Sequence, residues 1–450
     1  MRLGTILVGG LFILGCTGFP GPGSAPPADP GPLAVVADAD RLAARDLWPG
    51  FDPRTVPVAI HQDGRTWLFR HPNPPPEFQP WPDRPGVFVA PGRHSGVTAN
   101  SSAEIGGVVT ATLLPPGSGE TLTRRAGVLL HEMFHVFQRR HHPKWTANEA
   151  DLFTYPVDVQ NGAALRSLEV EALRRGLLAE GPETAACWGQ AAMTLRRERF
   201  LLLSPAAIAY ERGTELNEGL AAYVQHRATG ERDEALLPPE GYPPHGVRQR
   251  AYGTGAAMAR LLDRMRPDWR GTLERSDTIP LDALLATAQS GSDGACGFAP
   301  DERRGLEQRA AAAVSELRAL RTERRQAFLG QPGWTLEAVT EATPIFPQGF
   351  DPLNVEVVGP GEVLHTRYLK LGGPAGEIEI IGRSALTAAA GPHPLFNGVR
   401  RLVVTGLPND PVARRDSGSV HIQAPGISGV LRIASVVQTG QTVTLTLSPR

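Results

Sequence analysis

The sequence lacks several features that would have assigned the protein to a common functional class. It has almost no net charge, because 45 basic and 46 acidic side chains leave a formal charge of −1. Since nucleic-acid-binding proteins need a basic surface, this balance argues against such a partner. No internal repeat is evident, and no run after the first fifteen residues is long and apolar enough to span a bilayer. A chain of 450 residues can nevertheless form two or three domains with large cores.

Cysteine is also scarce, with only 3 in the chain. Cys187 and Cys296 are not expected to bind zinc, because neither has a second cysteine or a histidine nearby. In an exported protein two such residues can form a disulfide, whereas in a reducing compartment they would be small buried side chains. We predict the Cys187–Cys296 disulfide, because the N-terminus indicates export.

The first residues resemble an export signal. Arg2 precedes the apolar run LGTILVGGLFILG, which ends at Cys16. The four residues ILGC, from Ile13 to Cys16, also resemble a bacterial lipobox, in which the cysteine is lipidated and becomes the new N-terminus. We therefore predict a signal peptide over residues 1–15, a lipid anchor at Cys16 and an outer-membrane location facing the periplasm or cell surface. An ordinary signal peptide is the alternative.

The remaining sequence divides by composition and periodicity. A Pro/Gly/Ala tract over residues 16–32 predicts a disordered tether, and short strand-like runs over 33–120 predict a small β subdomain with a substrate edge strand. Helical patterns dominate residues 121–330, and alternating strands over 335–450 predict an antiparallel β-sandwich. The predicted fold class is thus α+β, with a mostly helical body between two β parts.

The helical body contains the segment AGVLLHEMFHVFQRRHH. Residues four apart lie on one face of a helix, so His131 and His135 can present two imidazoles to one metal ion. Glu132 lies beside them, where it can take a proton from water. This HExxH pattern favours Zn²⁺, which accepts nitrogen and oxygen ligands. The alternative is a buried helix with two hydrogen-bonded histidines and a surface glutamate.

A catalytic zinc site normally has three protein ligands and one open position. The expected third ligand is a carboxylate on another helix, and Glu218 in TELNEGLAAYV is the first candidate. The rival candidates are Glu169 and Glu171 in RSLEVEALRRGL, although no small residue beside them would allow close helix packing.

Three other polar residues near these motifs are open to interpretation. His141 and His142 fall at offsets that do not suit a third ligand, and a solvated helix end is their expected place. Glu215 lies one helical turn before Glu218 and could hydrogen-bond a ligand histidine from outside the metal shell. Its alternative role is a solvated helix position.

The motifs together resemble those of gluzincin zinc peptidases, specifically the aminopeptidase N family. NEGLAAY is similar to the helix that supplies the third ligand there, and RAYGTGAAMARLLD is similar to the YxKG stretch. Tyr252 matches the tyrosine that donates a hydrogen bond to the tetrahedral intermediate, Gly255 matches the glycine, and Thr254 replaces the lysine. The resemblance implies one Zn²⁺ per chain, a peptide or protein substrate and the following roles: ligands His131, His135 and Glu218, general base Glu132, and oxyanion donor Tyr252.

Two features depart from that family. Glu218 follows His135 after 83 positions, far more than in the family, so a helical insertion must lie between them. The family's GxMEN strand, whose glutamate holds the free amino terminus of the substrate, is replaced here by EIGGVVTATLL with Gly106 and Gly107. We expect this strand to pair with a substrate backbone, but without the amine-binding carboxylate.

Two other functions remain compatible with the sequence. A tethered lipoprotein with a β-sandwich could be a surface binding or scaffolding module that carries a degenerate peptidase body. A zinc hydrolase that cleaves a non-peptide bond is the second alternative. The complete set of candidate site residues favours the enzyme over the scaffold.

Overall fold

The computed structural model describes residues 31–82, 84–276, 278–288, 296–340, 343–351 and 354–448. The predicted signal peptide, Cys16 and most of the predicted tether lie outside the described residues. The described residues form two compact units, one within the ranges 31–148 and 161–308, and the other within the ranges 149–160 and 309–448. Both helices and strands are abundant, so the fold is of the α+β class.

The first described element of the first unit is helix α1 (Pro32–Leu42), at the start of the range predicted to be a small β subdomain. Its buried residues Val35, Val36, Ala39 and Leu42 recur at helical spacing and form one apolar face. Six strands follow: β1 (Val58–Gln62), β2 (Arg65–Phe69), β3 (Gln79–Pro80), β4 (Val87–Pro91), β5 (Ser101–Ile105) and β6 (Val108–Leu113). They form one sheet in the order β3-β4-β2-β1-β6-β5, in which only β1 and β6 are parallel.

Helices account for most of the chain from residue 122 to residue 329. They are α2 (Leu122–His141), α3 (Gln160–Leu178), α4 (Pro182–Phe200), α5 (Pro205–Thr214), α6 (Leu220–Thr229), α7 (Val247–Met265), α8 (Trp269–Glu274), α9 (Leu281–Ala288) and α10 (Pro300–Leu329). A π-helical turn, Glu215–Gly219, joins α5 to α6, and short 3₁₀ turns occur at Pro53–Thr55, Glu149–Thr154 and Asp233–Ala235. None of the helices in the described part of the chain has both the length and the apolar character that crossing a bilayer requires.

An aromatic cluster around Trp48 organises the core of the first unit. The Trp48 ring packs edge-on against Phe134 of α2 at 5.5 Å, Tyr223 of α6 at 6.3 Å and Trp269 of α8 at 5.5 Å between ring centroids. Such edge-to-face pairs add specific geometry to the burial of large apolar surfaces. The cluster therefore holds α2, α6 and α8 around a common centre.

A disulfide joins Cys187 of α4 to Cys296, as the sequence predicts. The two cysteines are 109 residues apart in the chain. A covalent link of this span restricts the unfolded chain and so stabilises the folded unit. It ties α4, which lies in the segment between the HExxH motif and Glu218, to the residues just before α10.

The second unit is built mainly of strands. They are β7 (Trp334–Val339), β8 (Phe346–Phe350), β9 (Val355–Gly359), β10 (Glu362–His365), β11 (Tyr368–Gly373), β12 (Gly376–Ile381), β13 (Ala385–Ala389), β14 (Val399–Leu407), β15 (Val412–Asp416), β16 (Ser419–Ala424), β17 (Ile427–Thr439) and β18 (Thr442–Leu447). Hydrogen bonds connect them in the order β8-β11-β12-β17-β18-β7-β14-β13-β10-β9, with β16 on β17 and β15 on β16.

Strand β17 is the longest of these strands and connects two groups of strands in the second unit. One group contains β8, β11, β12, β15 and β16, and the other contains β7, β9, β10, β13, β14 and β18. Its first residues pair with β12 and β16, whereas its last residues pair with β18. Side chains from the two groups, such as Leu371 of β11 and Val404 of β14, share one hydrophobic core. One pairing differs from the predicted antiparallel pattern, because β18 runs parallel to β7.

A short segment from the middle of the chain also belongs to the second unit. Arg321 of α10 donates to the Asp158 carboxylate at 3.1 Å, and the His393 ring lies 3.0 Å from the backbone oxygen of Ala150. Residues 149–160 are therefore held by the second unit, although the chain on both sides of them belongs to the first.

Burial of His365 should make the stability of the second unit depend on pH. Burial lowers the pKa of His365 to about 4, whereas an unfolded histidine titrates near 6.5. Between pH 6.5 and about 4 the histidine is protonated in the unfolded chain but not in the folded one. The free energy of unfolding therefore falls as the pH drops through this range. The loss should reach about 3 kcal/mol.

We expect His365→Gln to reduce this loss, as measured by urea unfolding of the full chain at pH 7.5 and 4.5. The matched control is His421→Gln, which changes a histidine whose side chain is 34% exposed in the same unit. Equal pH dependence in both variants would contradict the assignment to His365.

Candidate metal centre

Helix α2 presents the two histidines of the HExxH motif on one face. Thr121 caps the helix, since its hydroxyl accepts a hydrogen bond from the backbone N–H of Arg124 at 3.3 Å. The rings of His131 and His135 lie 4.7 Å apart between centroids and are nearly perpendicular. This arrangement places the Nε2 atom of each ring toward the same point.

The carboxylate of Glu218 reaches that point from the π-helical turn. Its Oε2 atom lies 3.1 Å from Nε2 of His135 and 3.4 Å from Nε2 of His131. The three possible ligand atoms all lie within 4.8 Å of one another. A π-helical turn widens the helix locally and is frequent at functional sites. The 83 residues that separate His135 from Glu218 in sequence therefore do not keep the two apart in space.

These distances suit a small divalent cation. Zinc binds histidine nitrogen and carboxylate oxygen at roughly 2.0 to 2.2 Å with tetrahedral angles, which places neighbouring ligand atoms about 3.3 Å apart. The observed nitrogen-to-oxygen distances of 3.1 and 3.4 Å fall on either side of this value. Two imidazoles and one carboxylate are also the donor set of known catalytic zinc sites. With all three atoms within 4.8 Å of one another, the residues present could hold a zinc ion.

Two glycines allow Glu218 and Tyr252 to meet. A Cβ atom on Gly219 would lie 2.7 Å from the Cα of Gly255, and one on Gly255 would lie 2.8 Å from the Cα of Gly219. Only glycine permits this approach of α7 to the π-helical turn, because real Cβ contacts are not so short. As a result, the Tyr252 ring lies nearly parallel to the His131 ring at 6.0 Å between centroids.

The charges of Glu218 and His135 depend on each other. Burial alone would raise the pKa of Glu218, but the neighbouring His135, His131 and Arg248 outweigh it and hold this pKa well below the usual value. Burial alone would lower the pKa of His135, but the Glu218 carboxylate raises it to about 9. Without a metal, a proton therefore occupies the place between ring and carboxylate, and a bound cation would have to displace it.

Glu132 lies beside the histidines in a buried position, with only 3% of its surface exposed. Burial raises the pKa of its carboxyl group, and the nearby charge of Glu218 adds to this effect, whereas His131 and His135 oppose it. A carboxyl group with a raised pKa is suited to exchange protons near neutral pH. The surface position considered as an alternative for Glu132 is therefore wrong.

Arg248 also belongs to the site, and it is not among the residues that the sequence motifs predict. Its Nη2 donates to Oε1 of Glu218 at 2.7 Å and lies 3.5 Å from the Tyr252 hydroxyl oxygen. Burial, reinforced by Glu218, raises the pKa of Tyr252 well above its usual value, so the phenol stays a proton donor. The available signal was spacing, because Arg248 and Tyr252 are one helical turn apart on α7.

The rival carboxylates are paired elsewhere. Glu169 accepts hydrogen bonds from Arg196 and Arg199 at 2.8 Å each, and Glu171 accepts from Arg174 and Arg175. Neither is part of the metal-type cluster found among the described residues. The order of candidates drawn from the sequence, with Glu218 first, is the one the geometry favours.

The expectations for Glu215 are wrong. It is fully buried, so it is not a solvated helix position. Its carboxylate pairs with Arg196 at 2.5 and 2.8 Å and accepts a hydrogen bond from the Thr254 hydroxyl at 2.8 Å, so it does not orient a ligand histidine. The sequence could not reveal this role, because Arg196 lies on a separate helix, α4.

The expectation for the two histidines at the end of α2 is wrong for one of them. His141 is exposed and stacks on Phe137 at 4.5 Å between centroids. His142 is buried, stacks on Trp145 at 3.7 Å and lies 2.9 Å from the Glu274 carboxylate. The chain turns inward after α2, and this turn brings His142 into the aromatic core.

The strand predicted to pair with the substrate, β6, is not at the edge of the sheet. Gly106 and Gly107 form the tight turn between β5 and β6, with φ angles of +53° and +77° that favour glycine. Strand β6 pairs with β5 on one side and with β1 on the other, so β5 is the edge strand. The two glycines that the sequence analysis placed in the substrate strand therefore form the hairpin turn before it.

No model of a known protein family, no curated protein and no solved structure gives a significant match to this chain. Support for a function therefore comes from the chemistry of the site alone.

Substitution of Gly255 by alanine should disrupt the site and the packing beneath it. The added methyl group would lie 2.8 Å from the Gly219 Cα and 2.9 Å from the Glu215 backbone oxygen. We expect a loss of about 1 to 3 kcal/mol in unfolding free energy, measured by urea unfolding. The control is Gly271→Ala on α8, where the nearest atom to an added Cβ is 3.5 Å away and belongs to a flexible arginine. Equal stability of the two variants would contradict the close-packing argument.

Proposed function

We propose that this protein is a zinc-dependent hydrolase of peptide bonds, with a helical body of the gluzincin type. The observation that carries the proposal is the convergence of His131, His135 and Glu218 within 4.8 Å, with Glu132 beside them. The Tyr252 phenol, which lies over the His131 ring, supports a hydrolytic role more than a structural one. A structural zinc site would need neither a buried base nor a phenol.

Each residue then has a chemical task. A zinc ion held by His131, His135 and Glu218 would supply Lewis acidity, which lowers the pKa of water and polarises a carbonyl group. Glu132 accepts the proton of the attacking water and passes it to the leaving amine. The Tyr252 hydroxyl donates a hydrogen bond to the oxygen that becomes negative in the transition state.

The sheet edge offers a place for an extended substrate. Strand β5 has one unpaired edge, and a peptide can add to such an edge through backbone hydrogen bonds. The stretch EIGGVVTATLL lacks the GxMEN motif, whose glutamate binds a free amino terminus in the aminopeptidase N family. The proposal is therefore peptide-bond hydrolysis without a built-in preference for the N-terminal residue.

We also propose that the protein is exported and anchored to the membrane through a lipid on Cys16. The lipobox-like sequence before this cysteine supports the proposal, and so does the disulfide, because disulfides persist mainly in oxidising compartments.

Purified protein should bind about one zinc ion per chain. We expect His135→Ala to abolish this stoichiometric binding, because the variant loses one of three ligands. The control is His141→Ala, which removes an exposed histidine from the end of the same helix and should leave the zinc content unchanged. Elemental analysis after dialysis measures the difference. Absence of zinc from the unaltered protein would instead favour a non-catalytic binding module.

Glu132→Gln should retain zinc but lower the rate of peptide hydrolysis by roughly 10²- to 10⁴-fold, because the amide cannot accept the proton. Cleavage of a library of quenched fluorescent peptides gives the rate, and zinc content is measured on the same samples. Glu198→Gln, an exposed change on α4, serves as the control. Full activity of the Glu132 variant would remove the general-base assignment.

A further inference from the structure

Gln138 lies on α2 one turn after His135 and is buried, with 2% of its surface exposed. Its Nε2 donates hydrogen bonds to the backbone oxygens of Leu216 at 3.0 Å and Asn217 at 2.9 Å. Its Oε1 lies 2.8 Å from Nδ1 of His135. A side chain that is this buried and fully hydrogen-bonded has one stable orientation.

The two carbonyl contacts determine which end of the amide faces His135. Backbone carbonyl oxygens only accept hydrogen bonds, so the NH₂ group of Gln138 must point at Leu216 and Asn217. Its oxygen must then point at His135, and an amide oxygen also only accepts. The hydrogen in this contact therefore belongs to Nδ1 of His135.

A histidine that keeps its hydrogen on Nδ1 has its other nitrogen available for a metal. In His135 that nitrogen is Nε2, which faces Oε2 of Glu218 at 3.1 Å. We propose that Gln138 is a positioning residue that holds His135 in the Nδ1–H form, so that Nε2 is the metal-binding atom. This inference rests on the metal-binding part of the proposed function.

The same side chain also sets the distance between the two ligand-bearing elements. Leu216 and Asn217 come directly before Glu218 on the π-helical turn, so Gln138 links α2 to the turn that carries the third ligand. His131 has no equivalent support, because its Nδ1 has no hydrogen-bond partner among the residues that the structure describes. Of the two ligand histidines, His135 is therefore the one whose Nδ1 is held by a hydrogen bond within the described part of the chain.

Gln138→Met tests the proposal, because methionine has a similar length but provides neither the amide donors nor the oxygen acceptor. We expect zinc affinity, measured by competition with a chromophoric chelator, to fall roughly 10- to 100-fold. Gln225→Met on α6, the helix that packs against α2, is the matched control and should bind zinc as the unaltered protein does. Circular dichroism of the zinc-free variants checks that both are folded. Unchanged affinity in a folded Gln138→Met protein would overturn the proposal.

A second measurement needs no variant. In protein labelled with ¹⁵N-histidine, long-range ¹H–¹⁵N spectra should show a hydrogen on Nδ1 of His135 both without and with zinc, and a metal-shifted Nε2 with zinc. Absence of the Nδ1 hydrogen, or zinc bound through Nδ1, would overturn the role of Gln138. If the Nδ1 hydrogen is present but zinc does not bind, the proposed function is wrong, and so is the metal-positioning role of Gln138. The hydrogen bond from His135 Nδ1 to Gln138 would still be supported.

Discussion

The site depends on a buried carboxylate that lies between two imidazoles and a guanidinium. A charge in a protein interior is costly unless partners compensate for it, and Glu218 has His131, His135 and Arg248 around it. These partners come from α2 and α7, so the carboxylate draws two helices to one point. The close contact between Gly219 and Gly255 makes this possible, because side chains there would hold α7 away from the π-helical turn. The positions of Glu132 and Tyr252 relative to the ligands follow from the same packing.

The long insertion between the HExxH motif and Glu218 contributes to this arrangement. Helices α3, α4 and α5 bring together a buried group of charges in which each arginine has an acidic partner: Glu169, Arg196, Arg199, Glu211 and Glu215. Arg196 forms an ion pair with Glu215, which is three residues before Glu218 on the π-helical turn. Removal of one partner from a buried pair leaves an uncompensated charge, which is strongly destabilising. The insertion thus supports the turn that carries the third ligand.

The sequence was informative where the chemistry is local. The spacing of His131, Glu132 and His135 follows from helix geometry, and NEGLAAY contains both the ligand and the glycine that lets it approach. It was misleading where long-range pairing decides. Gly106 and Gly107 were predicted to lie in a strand, but they form the turn between β5 and β6. Glu215 was predicted to be a solvated residue or a partner of a ligand histidine, but folding brings Arg196 to it. The parallel pairing of β7 with β18 joins strands from opposite ends of the second unit, which periodicity cannot reveal.

The Arg248 contact bears on the proposed hydrolytic role, because it limits how Glu218 can act as a metal ligand. Arg248 occupies Oε1 of Glu218 at 2.7 Å, so only Oε2 faces the two histidines. A carboxylate that presents a single oxygen is a one-point ligand, and with two imidazoles it supplies three ligand atoms. Zinc prefers four, and a structural site fills the fourth position with another side chain. Among the described residues the ligand cluster ends at three, with the Tyr252 phenol rather than a fourth ligand beside it. In the proposed function, three ligand atoms beside a proton donor would leave the fourth zinc position to water and substrate, as hydrolysis requires.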